Sequence, residues 1–248
     1  MKPGFTLASP ETGTTYQIVV EAPSDRREPG PWPAVVFMDG DDQFAPALAA
    51  YRAARAAGRV RPLLLVGVGY GASYRQPANR RGRDYTPTAH PDEPASGGGG
   101  AFLRFLSATL WPRLVALHPV DRGARGIAGH SLGSLLVLQA LFQAEPFFTH
   151  HLASAPSIWW DDRSILRLAR DRRAADPRLP ARLYLSVGAD DSESMTGDLA
   201  RLEVQLSAQP FSGLATTVRR FPGRDHFNVL PDAFSSGLQD LFPADAPS

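Results

Sequence analysis

The sequence predicts an α/β protein with a mostly parallel sheet that is covered by helices on both faces. Three observations support this prediction: apolar runs of strand length alternate with helix-periodic segments, the chain has 248 residues, and 43% of them are hydrophobic. Such alternation is typical of right-handed βαβ units. The length fits one domain with a large buried core. We therefore interpret residues 1–248 as a single α/β domain.

The strands are predicted from short apolar runs that are bounded by turn residues. The run at 34–38 follows a turn rich in proline, and the run at 126–129 leads into a turn flanked by glycine. The predicted strands are 16–21, 34–38, 63–69, 126–129, 151–155, 182–187 and 216–221.

The helices are predicted from apolar residues that recur every three or four positions. Gly58 ends the first helix, and Pro146 limits the helix that follows the central glycine-rich turn. The predicted helices are 44–57, 102–117, 131–143, 164–173, 199–208 and 232–241.

Residues 70–100 form the one long segment without predicted regular structure, and they include four consecutive glycines. Two interpretations remain open: a disordered surface excursion, or an active-site loop. The second is favoured by position, because the segment follows a buried strand and ligands bind at the carboxyl ends of such strands.

Composition excludes several classes of function. A formal net charge of +1 provides no field that would recruit nucleic acid or an anionic membrane, and the absence of cysteine excludes disulfides and thiol catalysis. No run of about 18 apolar residues and no signal-peptide core is present. We expect a cytoplasmic protein, with a mature periplasmic or secreted form as the alternative. The oligomeric state is left open.

The most informative motif is Gly129-His130-Ser131-Leu132-Gly133, which lies between a predicted strand and a predicted helix. A serine at such a turn occupies a strained backbone conformation, and flanking glycines remove the clashes that a Cβ would cause. The alternative is a serine that merely caps a helix. The apolar segments on both sides favour a nucleophile elbow with Ser131 as the nucleophile.

A nucleophilic serine requires a base, and the chain order of this arrangement is serine, acid, histidine. His226 is the one histidine that follows the last predicted strand, and the adjacent Pro-Gly pair places it in a loop. The alternative is a solvated surface residue. The other histidines, which do not fit the order, are His90, His118, His130, His150 and His151.

The acid should follow the strand 182–187, where Asp190, Asp191 and Glu193 compete. An acidic loop that caps the next helix is the alternative role for any of them. Spacing alone does not choose among the three.

The oxyanion donors are predicted to be the backbone N–H groups of Leu132 and Asp41. Leu132 begins the helix after the elbow, and Gly40 permits a close backbone approach in the loop after strand 34–38. A competing interpretation is a metal site built from Asp39, Asp41 and Asp42, although their spacing completes no calcium-binding loop.

Two further clusters could contact a substrate. Arg80, Arg81 and Arg83 lie within four residues, which is either a solvated basic face or a site that orients an anionic substrate. Trp159 and Trp160 are adjacent, so they cannot both point into one core, and one of them should form an exposed stacking surface.

Four segments together resemble the “Putative esterase” family of α/β-hydrolases, which includes human esterase D, feruloyl esterases and siderophore esterases. They are 129–133 (GHSLG), 153–162 (ASAPSIWWDD), 39–44 (DGDDQF) and 81–87 (RGRDYTP). The likeness to the siderophore-esterase branch covers roughly residues 16–234. It implies a compact α/β-hydrolase fold without a large cap domain. It also implies Ser131 as nucleophile, His226 as base, Asp191 as acid, and Arg81 near the substrate.

The sequence and the resemblance together predict a serine esterase that works through an acyl-enzyme and needs neither a cofactor nor a metal. Its partner is a small-molecule ester, and the resemblance implies a siderophore trilactone as the candidate substrate. We expect substrate contacts from Gly40, Arg81, Tyr85 and Trp159. The alternatives are a thioesterase or acyltransferase of the esterase D type, and a binding module that has lost catalysis.

Overall fold

The protein is built on one eight-stranded sheet with the strand order β1-β2-β4-β3-β5-β6-β7-β8. A computed structural model describes residues 4–24 and 29–244. The strands β1 and β2 pair antiparallel at one edge, and all pairings from β4 to β8 are parallel. The strands are β1 Phe5–Ser9, β2 Thr14–Glu21, β3 Trp32–Phe37, β4 Leu64–Gly69, β5 Val120–His130, β6 His150–Ser154, β7 Arg178–Gly188 and β8 Ser212–Phe221. The predicted mostly parallel sheet is confirmed.

Helices cover both faces of the sheet, as predicted. One face packs against α1 and α8 through side chains such as Phe37 and Phe234, and the other packs against α3 to α7 through side chains such as Val36 and Leu136. The helices are α1 Phe44–Ala56, α2 Arg81–Asp84, α3 Gly99–Arg104, α4 Trp111–Leu117, α5 Leu132–Leu141, α6 Trp160–Ala175, α7 Glu193–Ala208 and α8 Leu230–Leu241. A π-helical segment, Phe105–Leu110, joins α3 to α4.

The central strands are apolar on both faces because helices cover both sides. Every residue of β4 is buried, and β3 is buried from its second residue onward. The prediction began β7 and β8 four residues late. It missed the edge strand β1, whose five residues alternate between partial burial and exposure until the last, and the amino-terminal half of β5. Both lack the continuous apolar run that identifies a covered strand.

The segment between β4 and α3 is packed against the body of the protein, so the surface-excursion interpretation of residues 70–100 is wrong for its central part. Asp84 is fully buried and accepts hydrogen bonds from the hydroxyls of Tyr16 (2.8 Å) and Tyr70 (3.0 Å) and from Arg83 Nε (2.7 Å). This network anchors the short helix α2 to the sheet. Within the two described ranges the segment adds only α2, so the fold has no large cap domain.

The carboxyl ends of the parallel strands bring six loops to one edge of the sheet. Two of these loops approach each other very closely after β7 and β8. A Cβ on Gly188 would lie 2.2 Å from the carbonyl oxygen of Arg224, and Asp190 N–H donates to that same oxygen at 2.9 Å. The loop after β7 is therefore fixed against the loop after β8 by backbone contact.

Replacing Gly188 by alanine should separate these two loops, because backbone atoms cannot yield as a flexible side chain does. We expect Gly188→Ala to lower the free energy of unfolding by about 1–3 kcal/mol, as overpacking does. The matched control is Gly197→Ala in α7, where an added Cβ meets nothing within 4 Å. That change should stabilise the protein by up to about 1 kcal/mol. Thermal and urea unfolding measure both, and a neutral Gly188→Ala would contradict the close approach.

Candidate active site

Ser131 lies at the turn between β5 and α5 with φ 59° and ψ −122°, a conformation that residues with a side chain rarely adopt. The flanking glycines make the turn possible: a Cβ on Gly129 would lie 2.5 Å from the carbonyl carbon of Gly133. The Ser134 hydroxyl lies 2.7 Å from two carbonyl oxygens, those of Gly129 and Ser154, and Ser131 N–H donates to Ser154 O at 2.9 Å. The turn has the geometry of a nucleophile elbow.

A chain of two hydrogen bonds runs from Ser131 through His226 to Asp191. His226 Nε2 lies 3.0 Å from Ser131 Oγ, and His226 Nδ1 lies 2.9 Å from Asp191 Oδ2. With Asp191 ionised, Nδ1–H donates to the carboxylate and Nε2 is free to accept the serine proton. The Asp191 side chain is 3% exposed and that of His226 is 23% exposed.

The three carboxylates that competed in the sequence are separated by the turn after Gly188. Asp190 and Glu193 are exposed, and Glu193 begins α7. Asp191 is the member of this set that the structure brings to His226, and its second oxygen accepts from Ser192 N–H at 2.7 Å.

His130, which sequence reasoning set aside as a base, packs directly against His226. Their ring centroids are 4.8 Å apart, and His130 Nδ1 forms a hydrogen bond of 3.0 Å with Ser154 Oγ. Burial lowers the pKa of His130 to about 3, so its ring is neutral at physiological pH. The residue supports the imidazole of His226 without adding a second positive charge. The sequence signal that could have indicated this contact is the position of His130 directly before Ser131 in the elbow motif.

Ser157 also lies beside Ser131, with its hydroxyl oxygen 3.5 Å from Ser131 Oγ. Its backbone N–H donates to Ser131 O at 3.3 Å, and the residue is buried. The sequence offered no signal for this contact beyond the position of Ser157 after the strand next to the elbow.

The predicted oxyanion donors lie in the expected loops. Leu132 is the first residue of α5, where a backbone N–H has no intrahelical partner. Neither Leu132 N–H nor Asp41 N–H donates to an acceptor within the described ranges. Gly40 contacts β4 instead: its N–H donates to Val68 O at 2.8 Å, and a Cβ would lie 2.8 Å from the Val68 carbonyl carbon. Gly40 therefore shapes the loop.

Asp39 precedes these donors, and the surrounding residues fix its strained backbone. Its φ is 54°, its side chain is fully buried, and Arg81 binds it through Nε (2.8 Å) and Nη2 (3.0 Å). Asp39 N–H donates to the hydroxyl of Tyr85 at 2.9 Å. Burial raises the pKa of Asp39 and the Arg81 guanidinium opposes that shift, so the two-pronged geometry is that of a charged pair.

These contacts change the interpretation of two predicted substrate-binding residues. Tyr85 is fully buried, and its hydroxyl binds Asp39 in loop 39–42 after β3, called here the oxyanion loop. This position supports a structural role, and the predicted substrate contact stays a prediction. Arg81 directs two of its nitrogens to Asp39, and its side chain is 24% exposed. Its charge is already compensated, so we expect it to act mainly by positioning the loop.

The other acidic residues of the loop also bind protein groups. Asp41 accepts from Tyr70 N–H (2.6 Å) and Gly71 N–H (3.1 Å), and Asp42 accepts from Ser73 Oγ and from Tyr74 N–H (3.2 Å). Among residues 4–24 and 29–244, no cluster of three or more acidic or histidine side chains has the arrangement of a metal site. The alternative metal site at this loop is therefore not supported by its geometry.

The two adjacent tryptophans point in different directions, as the sequence indicated. Trp160 is buried and its Nε1–H donates to Thr88 O at 3.3 Å, whereas Trp159 is 47% exposed. A substrate contact at Trp159 stays a prediction.

The sheet order, the elbow and the hydrogen-bonded serine, histidine and aspartate define an α/β-hydrolase. The family model described as “Putative esterase” matches residues 9–229, and the chain belongs to this family. It is a carboxylic ester hydrolase, so the alternative of a binding module without catalysis is not supported.

The curated relatives include siderophore esterases. The chain is 30% identical to ferri-bacillibactin esterase BesA of Bacillus subtilis, over 97% of this chain and 89% of that protein. It is 36% identical to the siderophore triacetylfusarinine C esterase of Aspergillus fumigatus, over 86% and 82%. A similar solved structure is the BES protein from Bacillus cereus, with a TM-score of 0.88, 25% identity, and coverage of 98% and 95%.

None of the helices in the described ranges is both long and apolar enough to cross a membrane. The expected cytoplasmic location stays a prediction.

Removing Arg81 should test whether it binds substrate or holds the oxyanion loop. Arg81→Ala leaves the buried Asp39 carboxylate without its partner, which should cost about 3–5 kcal/mol of unfolding free energy. We expect kcat/KM to fall by a similar factor on p-nitrophenyl acetate and on an acidic ester, because the loop is disturbed for both. Urea unfolding and the two rate constants are the measurements.

The double variant Arg81→Ala with Asp39→Asn is the matched control, since it removes both charges. It should recover part of the lost stability. A loss confined to the acidic ester, with stability unchanged, would restore the substrate-binding role of Arg81.

Proposed function

We propose that the protein hydrolyses carboxylic esters through an acyl-enzyme on Ser131, with His226 as general base and acid and Asp191 as the residue that orients it. The single observation that carries this proposal is the continuous hydrogen-bonded chain from Asp191 Oδ2 to Ser131 Oγ. A nucleophile, a base and an orienting acid in this order are the arrangement of known serine hydrolases.

In the first half of the cycle, Ser131 Oγ attacks the ester carbonyl carbon while His226 Nε2 takes the hydroxyl proton. The buried carboxylate of Asp191 stabilises the imidazolium that forms. The Leu132 and Asp41 N–H groups donate to the oxyanion, whose charge appears only as the tetrahedral intermediate is formed. Collapse breaks the bond to the alcohol oxygen, and His226 Nε2–H protonates that oxygen as the alcohol leaves.

In the second half, His226 removes a proton from water, and the hydroxide attacks the acyl-enzyme. The same donors hold the second oxyanion, and the proton returns to Ser131 Oγ as the acid leaves. Ester and water are consumed, and one acid and one alcohol are produced. The acyl group passes from the alcohol to Ser131 and then to water with no change of oxidation state, so the chemistry calls for no redox cofactor.

We infer that the substrate is an ester-linked siderophore. The supporting observation is that the two curated relatives, which are similar over most of both chains, are named as siderophore esterases. A panel of ferri-bacillibactin, triacetylfusarinine C, simple p-nitrophenyl esters and acyl thioesters distinguishes this inference from the thioesterase and acyltransferase alternatives. Higher kcat/KM on a siderophore ester than on any simple ester or thioester supports it. A preference for thioesters contradicts it.

Ser131→Ala should lower kcat for ester hydrolysis by about four to six orders of magnitude, as loss of a triad nucleophile does. Labelling by a fluorophosphonate probe should disappear with it. The fold should survive, because the hydroxyl group contributes only contacts at the site, and an unchanged melting temperature is the control. Substantial turnover in a folded Ser131→Ala protein would remove the proposed mechanism.

Asp191→Asn should reduce kcat by roughly 10⁴, because an amide can no longer hold the His226 tautomer whose Nε2 accepts a proton. Asp190→Asn is a matched control: it makes the same chemical change one residue away, on an exposed side chain. It should retain most of the activity. If both variants are mild, the enzyme works as a serine–histidine dyad.

A further inference from the structure

A cavity of about 300 Å³ at the carboxyl edge of the sheet is lined by His130 and Phe227, the residues next to Ser131 and His226 in the sequence. Its apolar and ring-bearing walls come from α1, from the loop after β4, from the elbow, from the loop after β8, and from the first turn of α8. These wall residues are Pro46, Tyr74, His130, Phe227, Leu230 and Pro231. A cavity of about 150 Å³ can hold benzene, so this one has room for a substituted ring.

Two walls of the cavity are large aromatic side chains that remain exposed to solvent. Phe227 is 89% exposed and Tyr74 is 38% exposed, and both belong to the five exposed large apolar residues in the described ranges. Exposed apolar groups that gather at one concave place mark binding sites more often than scattered ones do.

Both aromatic walls are held in place by their neighbours. Tyr74 hydroxyl accepts from Gln43 Nε2 at 2.5 Å, and the Arg81 guanidinium lies 4.8 Å from its ring centroid. Phe227 packs edge-on against the His226 ring at 5.5 Å, and its N–H donates to Asp225 Oδ1 at 2.8 Å. The Tyr74 ring and the Phe227 backbone are therefore positioned before a ligand arrives, which lowers the entropic cost of binding.

The charge of the cavity is unfavourable to anions. Asp42 lines it, whereas none of its lining residues is a lysine or arginine. His130 is neutral, and the nearby Arg81 charge is compensated by Asp39. A carboxylate or phenolate placed there would lose hydration and face a like charge.

The position of the cavity indicates which part of an ester it would receive. His226 Nε2 must protonate the departing oxygen, so the alcohol part of the substrate lies on the histidine side. The cavity is walled by Phe227, the residue after His226, by Leu230 and Pro231 just beyond, and by His130 against the imidazole.

We propose that this cavity binds an uncharged, ring-sized group in the alcohol part of the ester, with Phe227 and Tyr74 as its walls and Asp42 as the residue that disfavours anionic alcohols. The proposal rests on the proposed ester hydrolysis at Ser131 and adds the class of alcohol that the same site accepts.

Three acetate esters test the proposal in the purified enzyme: ethyl acetate, 2-phenylethyl acetate and 2-(4-carboxyphenyl)ethyl acetate. All three form the same acetyl-enzyme, so differences in kcat/KM arise from the alcohol part alone. We expect 2-phenylethyl acetate to exceed ethyl acetate by roughly tenfold or more. The carboxylated ester should fall at least about tenfold below its neutral analogue.

Two variants assign these preferences to residues. Phe227→Ala should bring the ratio of 2-phenylethyl to ethyl acetate close to one, and Phe227→Leu should keep part of it. Asp42→Asn should improve the carboxylated ester relative to its neutral analogue by about twofold to fivefold. Asp121→Asn is the matched control at the amino end of β5, on the opposite edge of the sheet, and it should leave that ratio unchanged.

Each ratio is measured within one protein, so partial unfolding of a variant does not alter it. A flat alcohol series in the active wild-type enzyme would overturn the proposal while leaving ester hydrolysis intact. Equal improvement of the carboxylated ester in Asp42→Asn and Asp121→Asn would remove the role of Asp42. Failure of the proposed function has a different signature, because Ser131→Ala would then keep its turnover on all three esters.

Discussion

The strained backbone of Ser131 is the constraint on which the rest of the site depends. A residue with a side chain keeps a φ of 59° and a ψ of −122° only where contacts with the surrounding structure compensate for the backbone strain. Here β6 provides this support, because Ser154 O at its end accepts from Ser131 N–H. The Ser134 hydroxyl lies within hydrogen-bond distance of the same oxygen and of Gly129 O. The parallel pairing of β5 with β6 is thus the element that presents the serine above the sheet edge.

A second strained residue, Asp39, lies in the loop just after the neighbouring strand β3 and depends on a different set of contacts. Its φ of 54° is maintained by two groups of contacts. The Arg81 guanidinium donates two hydrogen bonds to the Asp39 carboxylate, and the Asp39 N–H donates to the Tyr85 hydroxyl. The oxyanion loop and the nucleophile are therefore fixed by separate networks that meet near Gly133, where an added Cβ would lie 3.2 Å from Asp39 Oδ2.

The sequence predicted the elements whose signal is local and missed those that depend on distant partners. The covered strands, the elbow and the order of Ser131 and His226 follow from apolar runs, glycine spacing and chain order. Asp191 could not be chosen by spacing, because the choice depends on Asp190 N–H binding Arg224 O across two loops. The supporting contact of Tyr85 likewise depends on a partner 46 residues away in the sequence, so it could not be predicted from local signals.

The basic cluster after β4 shows how composition can mislead about charge. Three arginines within four residues suggest a positive surface, yet Arg81 is bound to the buried Asp39 and Arg83 to the buried Asp84. The segment 81–85 instead connects two parts of the protein. Arg81 and Tyr85 bind Asp39 in the oxyanion loop, and Asp84 accepts hydrogen bonds from the hydroxyls of Tyr16 on β2 and Tyr70 after β4. Buried charges of this kind are tolerable only when paired and hydrogen-bonded. Their pairing joins the loop after β3 to the antiparallel edge of the sheet, so the shape of the active-site edge is set by a short internal segment in a fold that has no cap domain.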